Sequence, residues 1–68
     1  MELILLAKDD ESGKTACPSV YAAEDGALVV QGPLLDAATE ANLENVLSGE
    51  GAVRIKPEIV REALARLV

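Results

Sequence analysis

Cys17 is the only thiol in the sequence, and no histidine accompanies it anywhere in the 68 residues. A catalytic cysteine needs a lowered pKa, supplied by histidine, a neighbouring cation or a helix N-terminus. Cys17 falls instead in a strand-like run, Cys17-Pro18-Ser19-Val20-Tyr21-Ala22, where a free thiol packs as a small apolar residue. One cysteine without histidine supplies too few ligands for zinc. Asp9-Asp10-Glu11-Ser12-Gly13 is acidic but lacks the alternating ligands and closing glutamate of a calcium loop. Gly49-Glu50-Gly51 and Gln31-Gly32-Pro33 lack the context of phosphate-binding loops and read as turns. These residues support no enzyme class, catalytic residue, metal or cofactor.

Two charged groups could carry recognition. Asp36, Glu40 and Glu44 recur every four residues, which on a helix aligns them along one side. Such a line is either a solvated helix face or a docking strip for a basic partner. Arg54, Lys56 and Arg61 place half of the six cations between positions 54 and 61. They balance charge near a helix start or face a partner; Arg54 and Lys56 join the three acids as contact candidates. Three cations are too few for independent DNA binding.

The elements that must position these groups follow from pattern. Leu3-Ile4-Leu5-Leu6 is short and apolar on both faces, as in a strand covered on both sides. Lys8 to Lys14 reads as an exposed polar loop. Pro18 cannot donate to a ladder and belongs at the start or edge of its strand. Glu24-Asp25-Gly26 supplies turn chemistry between that strand and Ala27-Leu28-Val29-Val30-Gln31, so the two form a hairpin. From Leu35 the apolar spacing becomes helical through Thr39, Leu43, Val46 and Leu47, with Asp36 as N-cap and Gly49 as C-cap. Val53 and Ile55 alternate with Arg54 and Lys56 as a half-exposed strand. Pro57 opens a closing helix with Ile59, Val60, Ala63, Leu64, Leu67 and Val68 on its apolar face. Glu62 and Arg66 form a favourable pair one turn apart on that helix.

The expected fold is α+β, in the order β-β-β-α-β-α. A small, mostly antiparallel sheet carries both helices on one face, within a single domain spanning 1–68. Its predicted core is Leu3, Leu5, Cys17 or Val20, Leu28, Val30, Leu43, Leu47, Val53, Ile55, Val60, Leu64 and Leu67. Truncating Leu43 or Leu64 should then unfold the domain.

Composition narrows the partners. Twelve carboxylates against six cations give a net charge of −6, which disfavours nucleic acid and anionic membrane surfaces. A single tyrosine, with neither Phe nor Trp, removes the stacking platforms of single-strand binders. A basic protein surface remains electrostatically suitable. The lone cysteine argues against a disulfide-stapled secreted domain. Glu2 and the early run Lys8-Asp9-Asp10-Glu11 do not match a secretory leader, so the expected location is the cytoplasm.

Leu6-Ala7-Lys8-Asp9, Cys17-Pro18-Ser19-Val20-Tyr21, Leu28-Val29-Val30-Gln31-Gly32 and Val53-Arg54-Ile55-Lys56-Pro57 carry a resemblance across nearly the whole chain. It resembles small acidic actinomycete proteins of unknown function, often encoded beside helix-turn-helix regulators; Lys56 is an insertion before the proline of their pattern. The resemblance implies a partner or modulator of such a regulator and supplies no catalytic residues. The expected function is therefore a non-enzymatic, intracellular protein-interaction module. The alternative is a structural homo-oligomer, such as a dimer, with Leu3 to Leu6 continuing a sheet across a two-fold axis.

Overall fold

The computed structural model describes residues 1–10 and 18–67. The fold is α+β. Strands β1 (Leu3–Lys8), β2 (Ser19–Ala23) and β3 (Leu28–Gln31) form an antiparallel sheet in the order β1-β2-β3. Helix α1 (Ala37–Glu40) and helix α2 (Pro57–Arg66) follow.

The β2–β3 hairpin forms because its turn is locally encoded. Ala23 N–H donates to Ala27 O at 2.9 Å, enclosing Glu24, Asp25 and Gly26. Gly26 adopts φ +91°, a left-handed conformation open to glycine without Cβ strain. Asp25 Oδ1 accepts the Ala27 N–H at 3.0 Å and holds the turn's exit. Pro18 lies just before β2, and its carbonyl accepts the Asp9 N–H at 2.8 Å.

A β-bulge in β1 determines the core. Leu5 pairs with Tyr21 and Ala7 with Val20, so Leu6 is an extra residue between ladder positions. The bulge lets consecutive Leu6 and Ala7 both be buried, which strict alternation would forbid. They join Val20, Ile59 and Ala63 in the core, with Ala22 and Ile55 packed partly against it. Ala63 is 0% exposed and Val20 1%. Small side chains at Ala7, Ala22 and Ala63 permit α2 to lie close to β1 and β2.

Pro57 occupies the first turn of α2, as its missing N–H allows, and Arg66 meets Glu62 at 3.6 Å in the last. Burial selects Ile59 and Ala63, one turn apart, rather than the wider apolar face drawn from the sequence. Leu64 and Leu67 are exposed, and Val60 is half-buried.

Several expectations change. The helix expected from Leu35 through Leu47 stops at Glu40, where Asn42 N–H and Leu43 N–H bond three residues back to Thr39 O and Glu40 O. Asn45 then takes φ 57°, incompatible with a continuing right-handed helix. α1 buries none of its residues, so the sheet is covered by α2 rather than by two packed helices. A helix this short has little stability without an apolar face to bury. Gly49, expected as a helix cap, is the third residue of a turn closed by Glu50 N–H to Leu47 O at 3.0 Å. The expected fourth strand reduces to a single antiparallel bridge, Leu34 with Val53, giving the order β-β-β-α-α.

The core also differs from the one expected. Leu3, Leu5, Leu28, Val30, Leu43, Leu47, Leu64 and Leu67 are exposed, while Val20 is buried and Val53, Ile55 and Val60 are half-buried. Leu3 and Leu5 lie on the sheet face opposite Val20, away from α2, and α2 packs against β1 and β2 rather than over Leu28 and Val30 of β3. The polar loop expected from Lys8 begins instead with Lys8 in β1 and Asp9 only 5% exposed. Cys17 and most of that loop, including the greater part of the acidic Asp9–Gly13 segment, lie outside the described residues.

Candidate interaction surface

Of the acidic candidates, Asp36 is the one whose local geometry is most defined. It caps α1 from an extended backbone, φ −71° and ψ 165°, and its Oδ1 accepts the Thr39 N–H at 2.7 Å. The side-chain and backbone bonds at Thr39 hold its carboxyl below the usual value of 3.8; Arg54 adds a weaker favourable field. Asp36 thus stays ionised at neutral pH while facing solvent.

Glu40 ends α1, and Glu44 lies beyond it in the turn leading to Asn45. All three acids are exposed. They do not share one continuous helical face, because helical geometry is lost between Glu40 and Glu44. Their common property is position on an acidic, solvent-facing segment.

The two candidate cations each lie near an acid of the same chain. Arg54 contributes its field at Asp36, and its N–H donates to Pro33 O at 3.0 Å. Lys56 Nζ lies 3.6 Å from Asp9 Oδ2, with the lysine side chain half exposed and the aspartate side chain almost covered. Asp9, Arg54 and Lys56 border one open cleft of about 350 Å³, walled by Pro18, Pro33 and Pro57. The chain narrows here: a Cβ at Gly32 would stand 2.6 Å from Arg54 O. Glycine is required by that approach. Among the five contact candidates, Asp36 and Arg54 are therefore neighbours, while Lys56 belongs to the Asp9 pair. Asp9 was missed because its sequence neighbours are polar; its burial depends on the bulged end of β1 and the return of the chain at Lys56.

A second surface is apolar. Leu3, Leu5, Tyr21 and Val29 share the sheet face opposite Val20, as their cross-strand pairing requires. Leu3 is 45% exposed and Leu5 51%, and Ile4 on the other face reaches 70%. Tyr21 donates its hydroxyl proton to Gln31 Oε1 at 2.7 Å, satisfying the phenol at the margin of this face. The length of the apolar run in β1 signalled a strand, but only the observed register reveals how little of it is covered.

No family model, curated protein or solved structure matches the chain. Among the described residues, no group of three or more His, Cys, Asp or Glu side chains is arranged to hold a metal ion. No helix among them is long and apolar enough to cross a membrane. The geometry presented is that of surfaces: an acidic segment, a cleft bordered by Arg54 and the Lys56–Asp9 pair, and a largely exposed apolar sheet face.

Proposed function

We propose that the chain is a non-enzymatic protein-interaction module whose exposed acidic segment docks on a basic protein surface. The observation supporting this reading is the exposure of Asp36, Glu40 and Glu44 in a chain of net charge −6. Complementary charge accelerates encounter and makes it salt-sensitive. Asp36 is already held ionised by its capping bonds, so docking requires no protonation change there. The resemblance to small acidic actinomycete proteins suggests a helix-turn-helix regulator as the partner, modulated by contact in the cytoplasm. Arg54 lies beside Asp36 at the start of the segment, whereas Lys56 is held by Asp9 away from it.

A tagged pull-down, followed by mass spectrometry and a salt titration, tests the proposal. The expected result is specific recovery of a basic regulator whose retention falls as salt rises. Reversing Glu40 and Glu44 to lysine should weaken recovery without lowering thermal stability. Absence of a specific partner, or retention unchanged by both salt and the double reversal, would contradict acidic docking.

A further inference from the structure

We propose that the open edge of β1 pairs antiparallel with β1 of a second copy across a two-fold axis, with Leu3 opposite the partner's Leu5 and Ile4 opposite its counterpart. This surface is separate from the acidic segment and does not depend on the function proposed for it.

The direction of the backbone groups gives the register. Ala23 N–H bonds toward β3 through Ala27 O. Alternation along an antiparallel strand turns Ala22 and its partner Ile4 toward each other across the β1–β2 ladder. Leu3 and Leu5 must then direct their N–H and C=O groups away from the sheet. The Glu2 N–H agrees with this alternation, since it points back toward the β2 side to reach Glu24 Oε1 at 2.9 Å. Opposing Leu3 to a second copy's Leu5 makes two symmetry-related, doubly bonded pairs and satisfies these outward groups. Registers extending farther along β1 run into the bulge between Leu5 and Ala7, where outward alternation breaks. The bulge thus confines pairing to the first half of the strand.

Charge and local exposure both favour a second copy here. No ionised side chain lies between Glu2 and Lys8, and the proposed register sets the two Glu2 residues at opposite ends of the contact. Two chains of charge −6 therefore meet along a neutral segment. Leu3, Ile4 and Leu5 are 45%, 70% and 51% exposed and supply the apolar surface such a contact would cover. The opposite edge is less suitable: β3 spans four residues, and the chain beyond it turns into the Leu34–Val53 bridge and the Arg54-to-Pro33 hydrogen bond.

Sedimentation of the unmodified chain at micromolar concentration, combined with cysteine cross-linking, tests the inference. A Cys17→Ser background leaves each introduced thiol alone. Facing residues at a non-hydrogen-bonded antiparallel site have Cα atoms about 4.5 Å apart, within the roughly 4.4–6.8 Å span of a disulfide. Ile4→Cys should form a covalent dimer under mild oxidation, while Leu3→Cys and Leu5→Cys, each offset from its own mate, should not. Ile4 is 70% exposed, and circular dichroism of each variant checks that it remains folded. A monomer throughout the concentration range would overturn the inference. So would a dimer that cross-links through Leu28→Cys on β3 but not through Ile4→Cys.

Discussion

The contact of α2 with the sheet and the segment from Leu34 to Glu50 began from similar apolar spacing and reached opposite outcomes. In α2, Ile59 and Ala63 meet Leu6, Ala7 and Val20, and the helix runs ten residues. Between Leu34 and Glu50, the same kind of spacing yields a four-residue helix with no buried side chain. Both segments start with a suitable residue, Pro57 or Asp36. The difference is what each can bury. Small side chains at Ala7, Ala22 and Ala63 bring α2 close to the sheet, whereas Leu43, Val46 and Leu47 have no such surface opposite them and remain exposed. Apolar periodicity licenses a helix, but packing determines whether it persists.

The largest test of this contrast is Ile59→Ala against Leu43→Ala. Removing Ile59's buried side chain should cost about 2–5 kcal/mol, comparable with the whole stability expected of a small domain. Leu43→Ala should cost less than about 1 kcal/mol, because Leu43 is already 38% exposed. Chemical-denaturation midpoints measured on both variants check the order. Equal losses would place Leu43 in the core after all. Ala63→Leu should likewise destabilise, by about 1–3 kcal/mol, by forcing α2 away from the sheet.

Gly32→Ala sharpens the comparison where the two regions meet. Its new Cβ would stand 2.6 Å from the Arg54 carbonyl, so the Leu34–Val53 bridge must shift. A loss of about 1–3 kcal/mol is expected from this overpacking, read as a lower thermal midpoint. Gly26→Ala should cost about 1 kcal/mol because φ +91° strains an L-residue, although open space surrounds the added methyl.

The hairpin was legible because Glu24-Asp25-Gly26 carries its turn chemistry within consecutive residues. The ends of α2 were legible for the same reason, at Pro57 and Arg66. Asp36 as an N-cap was legible too. The bulge was not: every residue from Leu3 to Ala7 is apolar, so no alternation marks which one is extra. Without the bulge, neither the burial of Leu6 beside Ala7 nor the exposure of Leu3 and Leu5 follows. The acidic candidates were visible as residues, but their alignment required a helix that the segment does not sustain.

The smallest expected effect is at Asp36. Asp36→Ala should leave the global thermal transition nearly unchanged, because α1 buries nothing, while the Thr39 amide loses its 2.7 Å hydrogen bond. The pH dependence has a defined sign. The folded-state pKa lies below the usual 3.8, so the local stabilisation is present above that value and lost as pH falls through the lower, folded-state pKa. The Thr39 amide chemical shift should follow that acidic transition in the parent and not in Asp36→Ala.

Native-state hydrogen exchange compares the two regions most directly. Hydrogen-bonded amides in the centre of β2 and in α2 around Ala63 should exchange only through global unfolding, whereas amides from Ala37 to Leu47 should exchange through local opening with much weaker protection. Equal, globally limited protection across both regions would contradict the division of this fold into a sheet held by α2 and an uncovered acidic segment.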